Sequence, residues 1–174
     1  MRIQVPITCF ALLAGLSLSS SPSFSETNAG AVFNKVLASK EDGFNVSTVE
    51  RLIKNGDNSI AKGDFVKAKK NYDKARDVSR QLLSFYRDLS GSFRGLDARV
   101  PREMDAKGRR ALEALSKANI RLAALFRKQN QPEVAVPLLV EVVRLMTPAK
   151  SLGKEAYADL VELGFADTPY SSIR

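Results

Sequence analysis

FVKAKKNYDKARDVSRQLLSFYRDLSGSF, residues 65–93, sets Phe65, Ala68, Tyr72, Ala75, Ser79, Leu82, Tyr86, Leu89 and Phe93 at alternating spacings of three and four. Side chains at those intervals fall on one side of an α-helix, which turns once every 3.6 residues, whereas a half-buried strand alternates every second residue. Sustained over about four heptads, the pattern predicts a helix of roughly 28 residues and about 42 Å. Such a stripe must be covered by a partner of similar length. After the breakers Gly91, Gly95 and Pro101, a second long pattern supplies it through Met104, Ala111, Leu112, Leu115, Asn119, Leu122 and Phe126, ending at Gln129-Asn130. The two are expected to form an antiparallel hairpin, the long central pair of an all-α fold.

Shorter helical segments flank the pair. Upstream, Ser47-Thr48-Val49-Glu50 has the form of a capping box, predicting a helix from about Thr48 to Lys62 that Gly63-Asp64 breaks. Downstream, Pro132 suits a first helical turn, where a missing amide donor is tolerated. Val134 to Met146 is apolar on most sides, as befits a buried central helix, but Pro137 predicts a distorted first turn or a start delayed to Val136. Thr147-Pro148 ends that helix, and a short amphipathic one from Lys150 to Leu163 stops at Gly164. No alternating run is long enough to argue for a sheet.

At the amino end, Arg2, an apolar run from Ile7 through Leu18 and the small residues of Ser23-Phe24-Ser25 have the three parts of a signal peptide, with cleavage expected after Ser25. The apolar run is about a dozen residues, short of the roughly 18 that a permanent span needs. The expected organisation is therefore a signal peptide over 1–25, a flexible arm over 26–45 with a weak helix at Ala29–Ser39, one helical domain over 46–165 and a tail over 166–174. The expected location is extracytoplasmic: the periplasm, or the thylakoid lumen in a host that has one. The alternative is a tether to the inner membrane through an uncleaved signal anchor.

Loss of residues 1–25 removes Arg2 and no acid, so 27 basic residues become 26 against 19 acidic ones and the net charge falls from +8 to +7. It also removes Cys9, the only cysteine, so no disulfide can support the mature chain. With no histidine and no tryptophan, the chain lacks the usual acid-base residue, and the mature part lacks the soft nucleophile and the best metal ligands. Ser90-Gly91-Ser92 and Ser116-Lys117 are fragments only. Adjacent helical residues point about 100° apart, which gives no nucleophile its base. Asp57, Asp64 and Asp73 lack the spacing of a calcium loop. The expectation is a non-enzymatic protein with no cofactor and no metal.

Leu52, Gly56, Gly63, Asp64, Phe65, Ala68, Tyr72 and Ala75 resemble the tetratricopeptide repeat (TPR), whose helix pairs touch through small residues and fill the space between with aromatics. A second match, at Leu122, Ala123, Phe126, Ala135, Leu139, Val142 and Pro148, places Ala135 67 residues after Ala68, close to two repeats of about 34. The first match departs from the family in lacking its closing proline, its second helix running on toward Phe93. An ordinary helical bundle would produce the same spacing from packing alone. The resemblance implies TPR-like antiparallel hairpins and a concave surface that binds a protein or peptide, hence an exported adaptor module. On that basis the groove would be lined by Arg51, Asn55, Asn58 and Ser59 on the first helix and by Asn119, Arg121 and Lys128 on the later one. Asn119, on an otherwise apolar stripe, reads either as such a contact or as a buried amide that sets register.

Charge suggests a second use. The connection between the long helices carries Arg94, Arg99, Arg102, Lys107, Arg109 and Arg110 against Asp97, Glu103 and Asp105, and Lys62, Lys67, Lys69, Lys70 and Lys74 form another cluster. These surfaces could attract anionic membrane or a cell-wall polymer, making the chain a peripheral binder through a basic helical surface. Nucleic acid is disfavoured, because no aromatics interleave with the charge to stack on bases.

Overall fold

A computed structural model describes residues 43–171. The expected signal peptide, the weak helix at Ala29–Ser39 and residues 172–174 lie outside the described residues. Within them the chain is all-helical, with five helices: α1 Val46–Ala61, α2 Phe65–Ser92, α3 Arg99–Lys128, α4 Pro132–Met146 and α5 Ser151–Glu162.

Helix α1 starts earlier than the Ser47 box predicts. Asn45 is the cap, its side chain accepting from the Thr48 amide at 2.8 Å, while the Thr48 hydroxyl donates back to the Gly43 carbonyl at 2.6 Å. Asparagine caps as well as serine does, and it comes two residues sooner, so the helix takes the earlier start and leaves Ser47 exposed. Gly63, at φ 75°, makes the turn into α2, and Asp64 caps that helix by accepting from the Lys67 amide at 2.9 Å.

The two long helices form as the periodicity predicts, with one correction at the start of α3. It begins at Arg99 rather than near Met104, because Pro101 falls within the first turn, where no amide donor is required, and Asp97 accepts from the Arg99 amide at 2.7 Å. Pro137 likewise neither delays nor cuts α4, which is helical from Pro132. Its ring is exposed, so the Glu133 carbonyl that it deprives of a donor faces water.

Successive helices pack on one another, α1 also touches α3, and α3 also touches α5, while α2 and α4 make no backbone approach. The odd-numbered helices therefore share one side of the molecule and α2 and α4 the other. Ala68, Tyr72, Ala75 and Leu82 of α2 are at most 1% exposed and meet Ala111, Ala114 and Ala118 of α3, whose small side chains let the backbones come close. Phe65, expected to begin the buried stripe, is 36% exposed at the helix start, and Tyr86, Leu89 and Phe93 are half-buried. Leu122, Leu125 and Phe126 of α3 join Ala135, Leu139 and Val142 of α4 and Ala156 and Leu160 of α5 in the same core.

Length then shapes the molecule. At 1.5 Å per residue α1 and α4 are about 24 and 22 Å long, against about 42 and 45 Å for α2 and α3, so among the described residues the far half of the central hairpin runs on without a third helix beside it. Among the described residues no helix is long and apolar enough to cross a membrane.

Candidate functional site

The side shared by α1, α3 and α5 holds two adjoining recesses. One, of about 300 Å³, lies between α1 and α3 and is lined by Asp57, Ile60, Tyr72, Arg121, Ala124 and Lys128 among others. The other, of about 170 Å³, reaches α5 and is lined by Ile53, Lys117, Ile120, Arg121, Leu152 and Glu155. Arg121 lines both and stands at their junction.

Helical spacing positions these groups. Ile53, Asp57 and Ile60 are four and three apart, and Lys117, Arg121, Ala124 and Lys128 four, three and four apart, so each set lies on one side of its helix. The floor is fixed by Gly56, where an added Cβ would overlap the Tyr72 ring. Position 56 must therefore be glycine if the ring is to lie against α1. The Tyr72 hydroxyl then donates to Asp57 Oδ1 at 2.6 Å, and Arg121 Nε approaches the same oxygen at 3.4 Å. Burial first, and then the bond to Asp57, push the Tyr72 phenol well above a tyrosine's usual range. The phenol thus stays protonated, a fixed donor that holds the carboxylate in place. Arg121, 54% exposed, keeps donors free toward the groove. The rim carries Lys117, Arg121 and Lys128 against Asp57 and Glu155, with Ile60, Ala124 and Leu152 as apolar surface between them.

The sequence-predicted residues separate into four places. Arg121 and Lys128 line the groove. Arg51 and Asn55 instead line a recess with Phe44 and Val78, and Asn58 and Ser59 line one at the α1–α2 turn with Asn55 and Asn71. Two residues along a helix turn it by about 200°, so Asn55 and Asp57 face opposite ways, and the expectation that Arg51, Asn55 and Asn58 share a surface with Arg121 is overturned. Arg94 and Arg109 line a recess at the far end of the hairpin, while Arg99 is paired with Asp97 at 2.8 Å. Arg102 and Arg110 are exposed on the early turns of α3.

Asn119 is fully buried, and its alternatives resolve. Its Oδ1 accepts from Arg76 Nε, and its Nδ2 donates to Glu141 Oε2 at 3.0 Å, so the amide joins α2, α3 and α4 and, fully buried, presents no atom to a ligand. Arg80 closes the cluster with two bonds to Glu141, at 3.0 and 2.9 Å. Among the described residues no buried side-chain polar atom lacks a partner, and no three acidic or sulfur-bearing side chains gather as a metal site would require.

Sequence reasoning missed Asp57, Ile60, Lys117, Ala124 and Glu155. Their three-and-four spacing was the available signal, but which side of α1 faces the groove depends on where α3 lies. No family model, curated protein or solved structure matches the chain.

Proposed function

We propose that this chain is a non-enzymatic, TPR-like adaptor that docks a partner protein or peptide in the groove across α1, α3 and α5. The observation that carries the proposal is the position of Arg121: it lines two adjoining recesses and is partly held by Asp57, which is in turn held by Tyr72. A half-anchored guanidinium loses little freedom on binding, and it can take a carboxylate in two parallel bonds. The flanking Lys117 and Lys128 and the apolar patches favour a segment with an apolar anchor and acidic neighbours. Support for the TPR-like character comes from the shared side of the odd-numbered helices, from the Gly56–Tyr72 contact, and from Ala68 and Ala135, both fully buried at their matched positions. The proposed setting is extracytoplasmic, on the strength of the leader-like sequence in residues 1–25.

A photo-crosslinking residue at position 124, inside the groove, tests the proposal against one at exposed position 81 on α2. A defined partner should crosslink from 124 and not from 81, and Arg121→Gln with Lys128→Glu should abolish it while thermal unfolding is unchanged. Equal labelling from both positions, or none from 124, would remove the groove as the docking site.

A further inference from the structure

At the far end of the hairpin, α2, α3 and the turn between them line an open recess of about 380 Å³ whose lining includes Arg87, Arg94 and Arg109 over Leu83, Tyr86 and Leu112. The three arginines make no ion pair or side-chain hydrogen bond among the described residues, whereas Arg76, Arg80, Arg99, Arg121 and Arg127 each have an acidic partner. The recess does contain one acid, Asp105, but its carboxylate accepts from the Ser90 hydroxyl at 2.8 Å and forms no ion pair with the arginines around it. Three like charges gathered about one hollow repel one another and raise the local concentration of anions.

Gly108 is the second observation. It stands inside α3, where glycine costs about 1 kcal/mol relative to alanine. Close packing does not demand it, since an added Cβ would meet only Tyr86 Cβ at 3.8 Å, an ordinary contact. A side chain there would project into the recess that Gly108 lines, so the glycine keeps the floor open.

We propose that this recess binds a single anionic amphiphile by its phosphate headgroup, with Arg87, Arg94 and Arg109 taking the charge and Leu83, Tyr86 and Leu112 taking the start of the apolar stem. A terminal phosphate monoester presents three anionic oxygens to be shared among three guanidinium forks, where a carboxylate or a phosphodiester presents two. The volume is within the range of small-molecule sites, and its mixed lining leaves inorganic phosphate without contacts on the apolar side. The site lies at the end of the hairpin away from the Arg121 groove and stands independently of partner docking there.

The test is calorimetric titration of the full chain with dihexanoyl phosphatidic acid below its micellar concentration, alongside inorganic phosphate and phosphatidic acid vesicles. Saturable one-to-one binding of the short-chain lipid is expected, at least about tenfold tighter than phosphate. Arg87→Gln and Arg109→Gln, both at exposed positions, should each weaken it by about tenfold or more, the scale of one lost charge-assisted contact. Gly108→Leu should abolish binding, and Gly108→Ala should leave the chain folded with a raised melting temperature. Absent binding, binding to vesicles alone, phosphate binding as tight as the lipid's, or affinity unchanged in both arginine variants would each overturn the proposal.

Discussion

The Tyr72 ring lies where a Cβ at position 56 would have to be, so α1 and α2 meet through a glycine face and an aromatic face. Gly56 would gain helix propensity on becoming alanine, by about 1 kcal/mol. The overlap outweighs that gain, because the ring is buried and its hydroxyl is tied to Asp57, so shifting it breaks packing and a hydrogen bond together. Gly56→Ala should destabilise the chain by about 2 kcal/mol or more in urea unfolding. Combining it with Tyr72→Leu should restore part of the loss, and simple additivity of the two would show that the contact is not the cause.

Tyr72 also makes stability depend on alkaline pH. Its phenol is raised in the folded chain by burial and by the Asp57 bond. The unfolded chain ionises tyrosine from about pH 10, so above that point the native state holds the extra proton and stability falls as pH rises. Between about pH 8 and pH 11, wild type should lose more unfolding free energy than Tyr72→Phe. Parallel curves for the two proteins would refute the assignment.

Asn119 bridges Arg76 and Glu141 in a place without water access of its own. Asn119→Ala removes both bonds and leaves a void, at an expected cost of about 2–3 kcal/mol by chemical denaturation. Arg76 and Glu141 are partly exposed and keep a direct approach of 3.7 Å, so the loss should stop short of unfolding the chain. A double-mutant cycle with Glu141→Gln should return a coupling of at least about 0.5 kcal/mol.

Thr147 joins α4 to α5 at φ 56° and ψ 152°, a conformation that suits glycine far better than a β-branched residue. The geometry is held in place because Gly153 of α5 packs directly on the Thr147 carbonyl. Thr147→Gly should therefore stabilise the protein by about 1 kcal/mol, net of the extra freedom it gives the unfolded chain. Gly153→Ala should do the opposite and by more. An unchanged melting temperature for Thr147→Gly would show that the strain is not stored there.

What the sequence made legible was whatever depends on one helix at a time. The three-and-four spacing from Ala68 to Leu82 fixed the buried side of α2, and Gly56 and Tyr72 stood among the positions that resemble the repeat, while their direct contact emerged only once α1 lay on α2. Local rules failed where two of them competed. Asn45 and Ser47 could both cap α1, and Pro137 costs its helix less where the carbonyl that it orphans, that of Glu133, is at an exposed position. The groove was half legible. Arg121 and Lys128 were found, but Arg51, Asn55 and Asn58 fell on the opposite side of α1, since both sides of that helix carry polar residues and only the placement of α3 tells them apart.

The unequal helix lengths give the molecule a gradient of rigidity. Near Ala118 each backbone amide is locked between neighbours on two flanks, and releasing it requires the whole assembly to come apart. Toward the α2–α3 turn, apart from the Phe44–Phe85 ring contact, the two long helices pack among the described residues on each other, like a prong, and can separate at the tip without disturbing the base. Amides around Leu89 and Gly108 should therefore exchange with deuterium well before those of Ala118 and Leu122, and an occupant clamped between the prong's two arms would slow the first group while leaving the second untouched.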